Sequence, residues 1–285
     1  MFTLSSIRSS TALRAPRIVL LGVEKIGKTS FACGSRVEDG RVVEFGLNSP
    51  VVLQMKGEEG VDGLPNVKSF PVISTHSEIM EAMDVLYEND HPYRTLVFDS
   101  ASTAAHIIND GVCEENGVDS IRKMPGFRTG EAAVINKWRE ILDGMDHLRD
   151  ERNMSIIITG HVKVKAFKNP EGDNYDTYDL DLEHTDVSEM LKRWADLILF
   201  ANTKVLIKKE GEDTKFSKAK RRGIDASGGA RWLYTQKRPA HPGGGRNIYG
   251  ALPYEIPLDW ASFEEAVAAA QIPSAEQNQE SEKGQ

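Results

Sequence analysis

"RIVLLGVEKIGKTSF", residues 17–31, decides the fold. Four apolar residues, 18–21, run into Gly22, as in a strand buried on both faces. Gly22 to Thr29 then spells G-x-x-x-x-G-K-[ST] in full. A turn between such a strand and a helix N-terminus gathers backbone N–H groups into one concavity, and the helix dipole adds partial positive charge. The spacing therefore predicts a phosphate-binding loop over Gly22, Val23, Glu24, Lys25, Ile26, Gly27, Lys28, Thr29 and Ser30, with a helix over residues 29–35. The two glycines let phosphate oxygens approach the backbone. Lys28 can reach the β- and γ-phosphates of ATP, and the Thr29 hydroxyl can ligate Mg²⁺. On average composition such a string arises by chance in a chain this long about once in a hundred.

A phosphate loop predicts a second acid at the end of a hydrophobic strand. "TLVFD", residues 95–99, supplies Asp99 as the second metal residue after Thr29. The competing Asp196 precedes its strand and so sits at the wrong end. Hydrolysis also needs a group that orients or deprotonates water. "MKGEEGVDG", residues 55–63, follows the second strand at the edge where strand carboxyl ends meet ligand. Glu58 or Glu59 can stand beside the γ-phosphate there, although two surface acids in a glycine-rich turn explain the spacing equally well. His161 closes the strand "IIITGH" on the same edge and can report loss of the γ-phosphate to the segment after it. A lone strand-end histidine is more often structural.

Working outward, strands are expected at 49–55, 67–73, 94–100 and 154–161, and helices at 75–89, with Ser77 or Thr75 as cap, and 131–151. A loop over 113–130 separates that last helix from a helical region after Asp99. The alternation predicts an α/β fold, a P-loop NTPase core around a mostly parallel sheet. Beyond His161 the pattern changes. "VKVKAF" and "YDTYDLDL" flank a Pro- and Gly-bearing turn and read as a hairpin. A helix over 185–198 and a strand over 196–209 follow, then a long basic loop over 211–229. "ARWLYTQKRP" returns as a strand antiparallel to 203–209, so antiparallel strands are appended to the core.

The 285 residues carry a net charge of -8, which excludes a polycation that coats nucleic acid. Contact with DNA must come from local basic patches. Two cysteines, Cys33 and Cys113, offer no disulfide framework or metal cluster and favour a reducing compartment. No apolar stretch approaches the roughly 20 residues that span a bilayer. Residues 1–16 lack acids and read as a disordered arm rather than a transit peptide. Residues 271–285 read as a disordered polar tail, which leaves one ATPase domain over 17–270.

The order of "GVEKIGKT", "GEEG", "LVFDS", "IIITGHVKVK" and "RWADLILFANTKV" resembles the phage RecA-like ATPases of the Sak4 type, AAA-domain single-strand annealing or recombination proteins. The resemblance runs from about Pro16 to Trp260. It implies a RecA-like core, ATP and Mg²⁺, homo-oligomers on single-stranded DNA, a single-strand-binding protein as partner, and the cytoplasm of a bacterial host. It also implies that Glu58 activates water, since "EEGVD" resembles the Glu-x-x-x-Asp spacing of RecA-like proteins, and that His161 ends the sensor strand. Where the family reads something like Lys-Asn-Arg-Tyr-Gly, this chain reads "GRNIYG", with Ile248 in place of the arginine. Arg238, Lys237 and Arg246 are then the cations left to reach a neighbour's nucleotide.

For DNA, the basic segments are "HVKVKAFK", with Lys163, Lys165 and Lys168, and "FSKAKRRG", with Lys218, Lys220, Arg221 and Arg222. Phe167, Tyr175 and Tyr178 lie nearby for base stacking. A charge run is more often a solvated loop. Two other classes compete: a nucleotide switch or assembly and loading factor without DNA-stimulated turnover, and a small-molecule kinase with "SKAKRRG" as its lid.

Overall fold

The computed structural model describes residues 14–58, 60–210, 220–225 and 228–271. Strand β1 (Arg17–Gly22) leads through the glycine loop into a short helix, α1 (Lys28–Ala32). A small hairpin, β2 (Arg36–Glu38) and β3 (Arg41–Glu44), precedes β4 (Pro50–Gln54) and the two-residue β5 (Lys68–Ser69). Helix α2 (His76–Glu88) opens on Thr75, whose hydroxyl accepts from Glu78 N while the Glu78 carboxylate accepts from Thr75 N, a reciprocal cap. Strand β6 (Thr95–Asp99) is followed by α3 (Ala101–Glu115), α4 (Thr129–Arg152) and β7 (Ser155–Gly160). A hairpin of β8 (Val162–Phe167) and β9 (Tyr175–Leu180) comes next, then α5 (Thr185–Trp194) and β10 (Leu197–Thr203). A second hairpin, β11 (Val205–Glu210) and β12 (Lys220–Asp225), leaves the sheet before β13 (Arg231–Tyr234) returns to it. Strands β14 (Gly244–Gly245) and β15 (Glu255–Pro257) and helix α6 (Trp260–Gln271) complete the fold.

The main sheet runs β5-β4-β6-β7-β1-β10-β13-β15, with β14 also beside β10. The six strands from β5 to β10 are parallel, and β13, β14 and β15 are antiparallel. Both faces are covered, which explains the near-continuous apolar runs. Along β1, Val19 and Leu21 join one core with α2, α3, α4 and α5, whereas Ile18 and Leu20 join the other with α1 and α6. Ile156 and Ile158 against Ile157 on β7 repeat the split. Helix α4 turns Val134, Trp138, Ile141, Leu142 and Met145 inward at helical spacing, and Trp138 is fully buried against Phe98. The expected class, an α/β P-loop core with a mostly parallel sheet and appended antiparallel strands, is the one found.

Several boundaries differ from expectation. The first helix stops at Ala32 rather than residue 35, because the chain turns through Gly34 at φ +70°, with Asn48 packed against the turn. Of 67–73, only Lys68–Ser69 pairs as a strand, with one further bridge from Ile73 to Met55. Pro71 between them has no N–H to offer a ladder. The expected strand over 196–209 divides at Lys204, since β10 stays in the sheet and β11 pairs with β12. Residues 220–225 of the expected basic loop are therefore strand, and 211–219 lie outside the described residues. Strand β13 pairs with Phe200–Thr203, so it meets the expected 203–209 at Thr203 alone. The β2–β3 hairpin, β15 and α6 were not anticipated.

Of the expected N-terminal arm, residues 14–16 are tied down: Arg14 pairs with Asp150 at 3.1 Å, Arg149 donates to Ala15 O, and Ile156 N donates to Pro16 O. The rest of the arm, 1–13, lies outside the described residues, as does the expected tail beyond Gln271.

Candidate functional site

Parallel strands deliver their C-terminal ends to one edge, and nine expected residues meet there. The loop after β1 wraps a cavity of about 580 Å³ lined by Lys28, Thr29, Glu58, Asp99, His161 and Arg231. Glu24, Lys25, Gly27 and Ser30 line it too. Gly22 and Gly27 are fixed by different needs. A Cβ on Gly22 would stand 2.9 Å from Ala201 O on β10, while Gly27 holds φ +108°.

Lys28 is 7% exposed, and its ammonium donates to Gly22 O and Val23 O at 3.0 Å each. Burial pulls its pKa down, against the charges of Asp99, Glu58 and Glu24. The Thr29 hydroxyl donates to Asp99 Oδ2 at 2.7 Å, and Thr159 on β7 donates to the other carboxylate oxygen. Burial pushes the Asp99 pKa up despite those two bonds and the nearby lysine. Among the described residues, no group of three or more His, Cys, Asp or Glu could hold a metal. A cation here would take the Thr29 and Asp99 oxygens from the protein and its other ligands from phosphate and water. That is how Mg²⁺ is usually held, so the residues present fit it.

Glu58 is strongly tethered. Its Oε1 accepts from Ser100 Oγ and Thr103 Oγ1, each at 2.6 Å, and lies 3.4 Å from His161 Nε2. His161 holds its pKa down to about 2, assisted by the two hydroxyls against partial burial. The other ring nitrogen of His161 lies 3.4 Å from Lys28 Nζ, so the imidazole bridges the lysine and the glutamate. The His161 backbone N–H is fixed on Ser102 Oγ at 3.0 Å, and β8 begins at the next residue. The acidic turn folds over Thr29 so tightly that a Cβ on Gly60 would lie 2.6 Å from its hydroxyl. Glu59 lies outside the described residues.

Other expected residues lie elsewhere. The Arg238 guanidinium stacks over the Tyr254 ring at 3.4 Å rather than in its own chain's cavity. Arg246 stands 3.6 Å from Asp196, at the opposite end of the sheet. Lys163 pairs with Asp181 at 3.3 Å and Lys165 with Asp179 at 3.4 Å, while Lys168 is exposed. Lys220, Arg221 and Arg222 lie on β12, and Lys218 is outside the described residues. Sequence reasoning missed Ser100, Thr103, Thr159 and Arg231. "DSAST" after Asp99 carries a readable signal, hydroxyls three apart at a helix start, but Arg231 is brought in by strand pairing alone.

The model of the AAA_24 family, an AAA domain, matches residues 14–247. No curated protein matches the sequence. Among solved structures, a crystal structure of the RadB recombinase is similar at 13% identity and a TM-score of 0.37, covering 80% of this chain and 90% of that one. A likeness this loose adds nothing to the topology already described. No helix among the described residues is long and apolar enough to cross a membrane.

Proposed function

The chain belongs to the AAA_24 family of AAA domains, and from that premise we propose that it binds ATP with Mg²⁺ and hydrolyses it as a RecA-like recombination ATPase acting on single-stranded DNA. One observation carries the reading: Lys28, Thr29, Asp99, Glu58 and His161, from four separate segments, converge on one cavity beside a glycine loop. The loop N–H groups and Lys28 bind the phosphates, with Lys28 leaving the Gly22 and Val23 carbonyls to do so. Thr29 and Asp99 would hold Mg²⁺, which would supply charge neutralisation at the phosphates when bound. Glu58 orients and deprotonates the attacking water. A carboxylate with a pKa near 2 is a weak base, so it acts once freed from Ser100, Thr103 and His161. His161 senses the γ-phosphate and passes its loss to the β8–β9 hairpin.

The DNA contact rests mainly on the β11–β12 hairpin. Its register sets Lys208 opposite Arg222 and Lys209 opposite Arg221, which gathers basic residues along one hairpin. Lys163 and Lys165 already have carboxylate partners and contribute less. Phe167 and Tyr175 stack on each other at 4.9 Å near the turn of the β8–β9 hairpin and can receive a base, whereas Tyr178 stacks on Phe200. In this reading one ATPase domain spans 17–270. Homo-oligomers form on DNA beside a single-strand-binding protein, and Arg238 or Lys237 reaches the neighbour's nucleotide. The Sak4-type phage assignment and a bacterial cytoplasm belong to the same reading.

The test is ATP turnover with and without single-stranded DNA. Stimulation by DNA supports the reading. Binding without turnover favours an assembly or loading switch, and phosphoryl transfer to a metabolite favours a kinase. Replacing Lys218, Lys220, Arg221 and Arg222 by alanine should flatten the salt dependence of DNA binding by roughly 0.7 per lost phosphate contact. Basal turnover should change little.

A further inference from the structure

Arg231 enters the cavity from the side opposite the reacting machinery. The sheet order places β13 two strands from β1 on one side, while β7, which leads to His161, and β6, which ends at Asp99, lie on the other. The guanidinium donates from Nη1 to Ile26 O at 3.0 Å, inside the glycine loop. A Cβ on Gly27 would stand 2.9 Å from the same nitrogen, so the arginine lies directly on the loop's glycine face. Its backbone is anchored through Leu258 N, which donates to Arg231 O at 3.0 Å. Among the described residues no carboxylate pairs with it, and a single carbonyl engages one of its five donors. A guanidinium so placed, at the glycine loop and in a cavity that also holds Lys28, is suited to a bidentate grip on phosphate oxygens.

We infer that Arg231 binds the α- and β-phosphates of the nucleotide, the part common to ATP and ADP, and takes no part in breaking the terminal bond. The inference rests on the nucleotide reading above and deepens it. Glu58, Asp99 and His161 mark the γ-phosphate end on the far flank, which leaves Arg231 the other end of the phosphate chain. Being carried on β13, at the foot of the β11–β12 hairpin, it also ties the hairpin's return strand to the bound nucleotide.

The experiment titrates fluorescent ATP and ADP, each with Mg²⁺, into wild type, Arg231→Ala, Arg231→Gln and Lys28→Ala, and measures steady-state turnover alongside. Loss of a charge-assisted contact should weaken ATP and ADP equally in Arg231→Ala, by roughly ten- to a hundredfold. KM should rise with kcat nearly unchanged, as for a contact made equally in ground and transition states. Arg231→Gln lacks the charge and, two bonds shorter than the Nη1 arm, gives up the Ile26 carbonyl as well, while keeping much of the aliphatic stem. It should be weakened in the same way, and it decides the matter if the alanine variant does not fold. Wild-type affinities in Arg231→Gln would show that the nucleotide does not use the guanidinium and overturn the inference. Weakening of ATP alone, with a fall in kcat, would make it a γ-phosphate residue and overturn it too. A wild-type chain that binds neither nucleotide overturns the nucleotide reading itself, and the inference with it.

Discussion

The two ends of β1 are built on opposite electrostatic principles. At the Arg17 end, the guanidinium pairs with Asp196 at 3.0 Å and Asp146 at 3.2 Å, and Arg149 reaches Asp196 at 3.2 Å. Burial works against these charges, but the partners outweigh it: the Arg17 pKa is raised and that of Asp196 lowered. At the Gly22 end, Lys28 and Asp99 are buried more deeply, and burial wins: the lysine pKa falls and the aspartate pKa rises. One end satisfies its charges within the fold. The other leaves a cation and a carboxylate under-compensated, each suited to a ligand that brings the missing charge. The difference marks the Gly22 end, without reference to any motif, as the end suited to a charged ligand.

Lys28→Ala should have the largest effect. Nucleotide affinity and turnover should be lost, while circular dichroism shows an intact fold, because the lysine lines the cavity and belongs to neither apolar core. Wild-type turnover in the folded variant would break the comparison at once. Asp196→Ala should do the reverse. It removes the carboxylate that Arg17 and Arg149 share, leaving them Asp146 and Asp150, at a cost of about 3 kcal/mol in denaturant unfolding, and leaves turnover per folded molecule unchanged. Glu58→Gln should retain ATP binding and lower turnover roughly a hundredfold, about 2.7 kcal/mol. Its pH signature follows from a carboxyl held near pKa 2 instead of the usual 4.5. The stability Glu58 adds is complete above about pH 4.5 and is lost as pH falls toward 2, so the glutamine variant should lack that part of the acid limb.

Asp99→Asn is the subtlest test. A raised carboxyl pKa means the folded state holds its proton to higher pH than the unfolded state. The contribution of Asp99 to stability therefore declines as pH rises from the ordinary aspartate range toward that raised value. At neutral pH the variant should lose Mg²⁺-dependent turnover, yet its ligand-free form should melt a few °C higher, on the order of 1 kcal/mol. A lower melting point would mean that the carboxylate is as well satisfied as Asp196.

Legibility in the sequence followed the range of the interactions. Strands β1, β4, β6 and β7 were readable because burial on both faces leaves local apolar runs, and α2 and α4 because their periodicity is local. The loop after β1, with Thr29 and Asp99, announced itself through spacing. The end of α1 was misread because Gly34 takes its meaning from Asn48 packed against it. The partner of β13 was misread because the hairpin before it pairs with itself, which only tertiary structure decides. The tether on Glu58 was hidden for a similar reason. Ser100 and Thr103 are visible in sequence, but their carboxylate partner lies more than 40 residues away. Arg231 had no local signal, since it reaches Ile26 across 205 residues.

The central claim is that the under-compensated end of β1 exists for a nucleotide, and thermal unfolding with and without Mg²⁺ and ATP tests it most directly. Ligand at a hundred times its Kd adds about 2.7 kcal/mol to stability. The melting temperature of wild type should therefore rise by several degrees with Mg²⁺ and ATP, and that of Asp196→Ala by as much from its lower starting point. Lys28→Ala should not respond. A wild type unmoved by Mg²⁺ and ATP, or a Lys28→Ala variant that rises as far as wild type, would contradict the account.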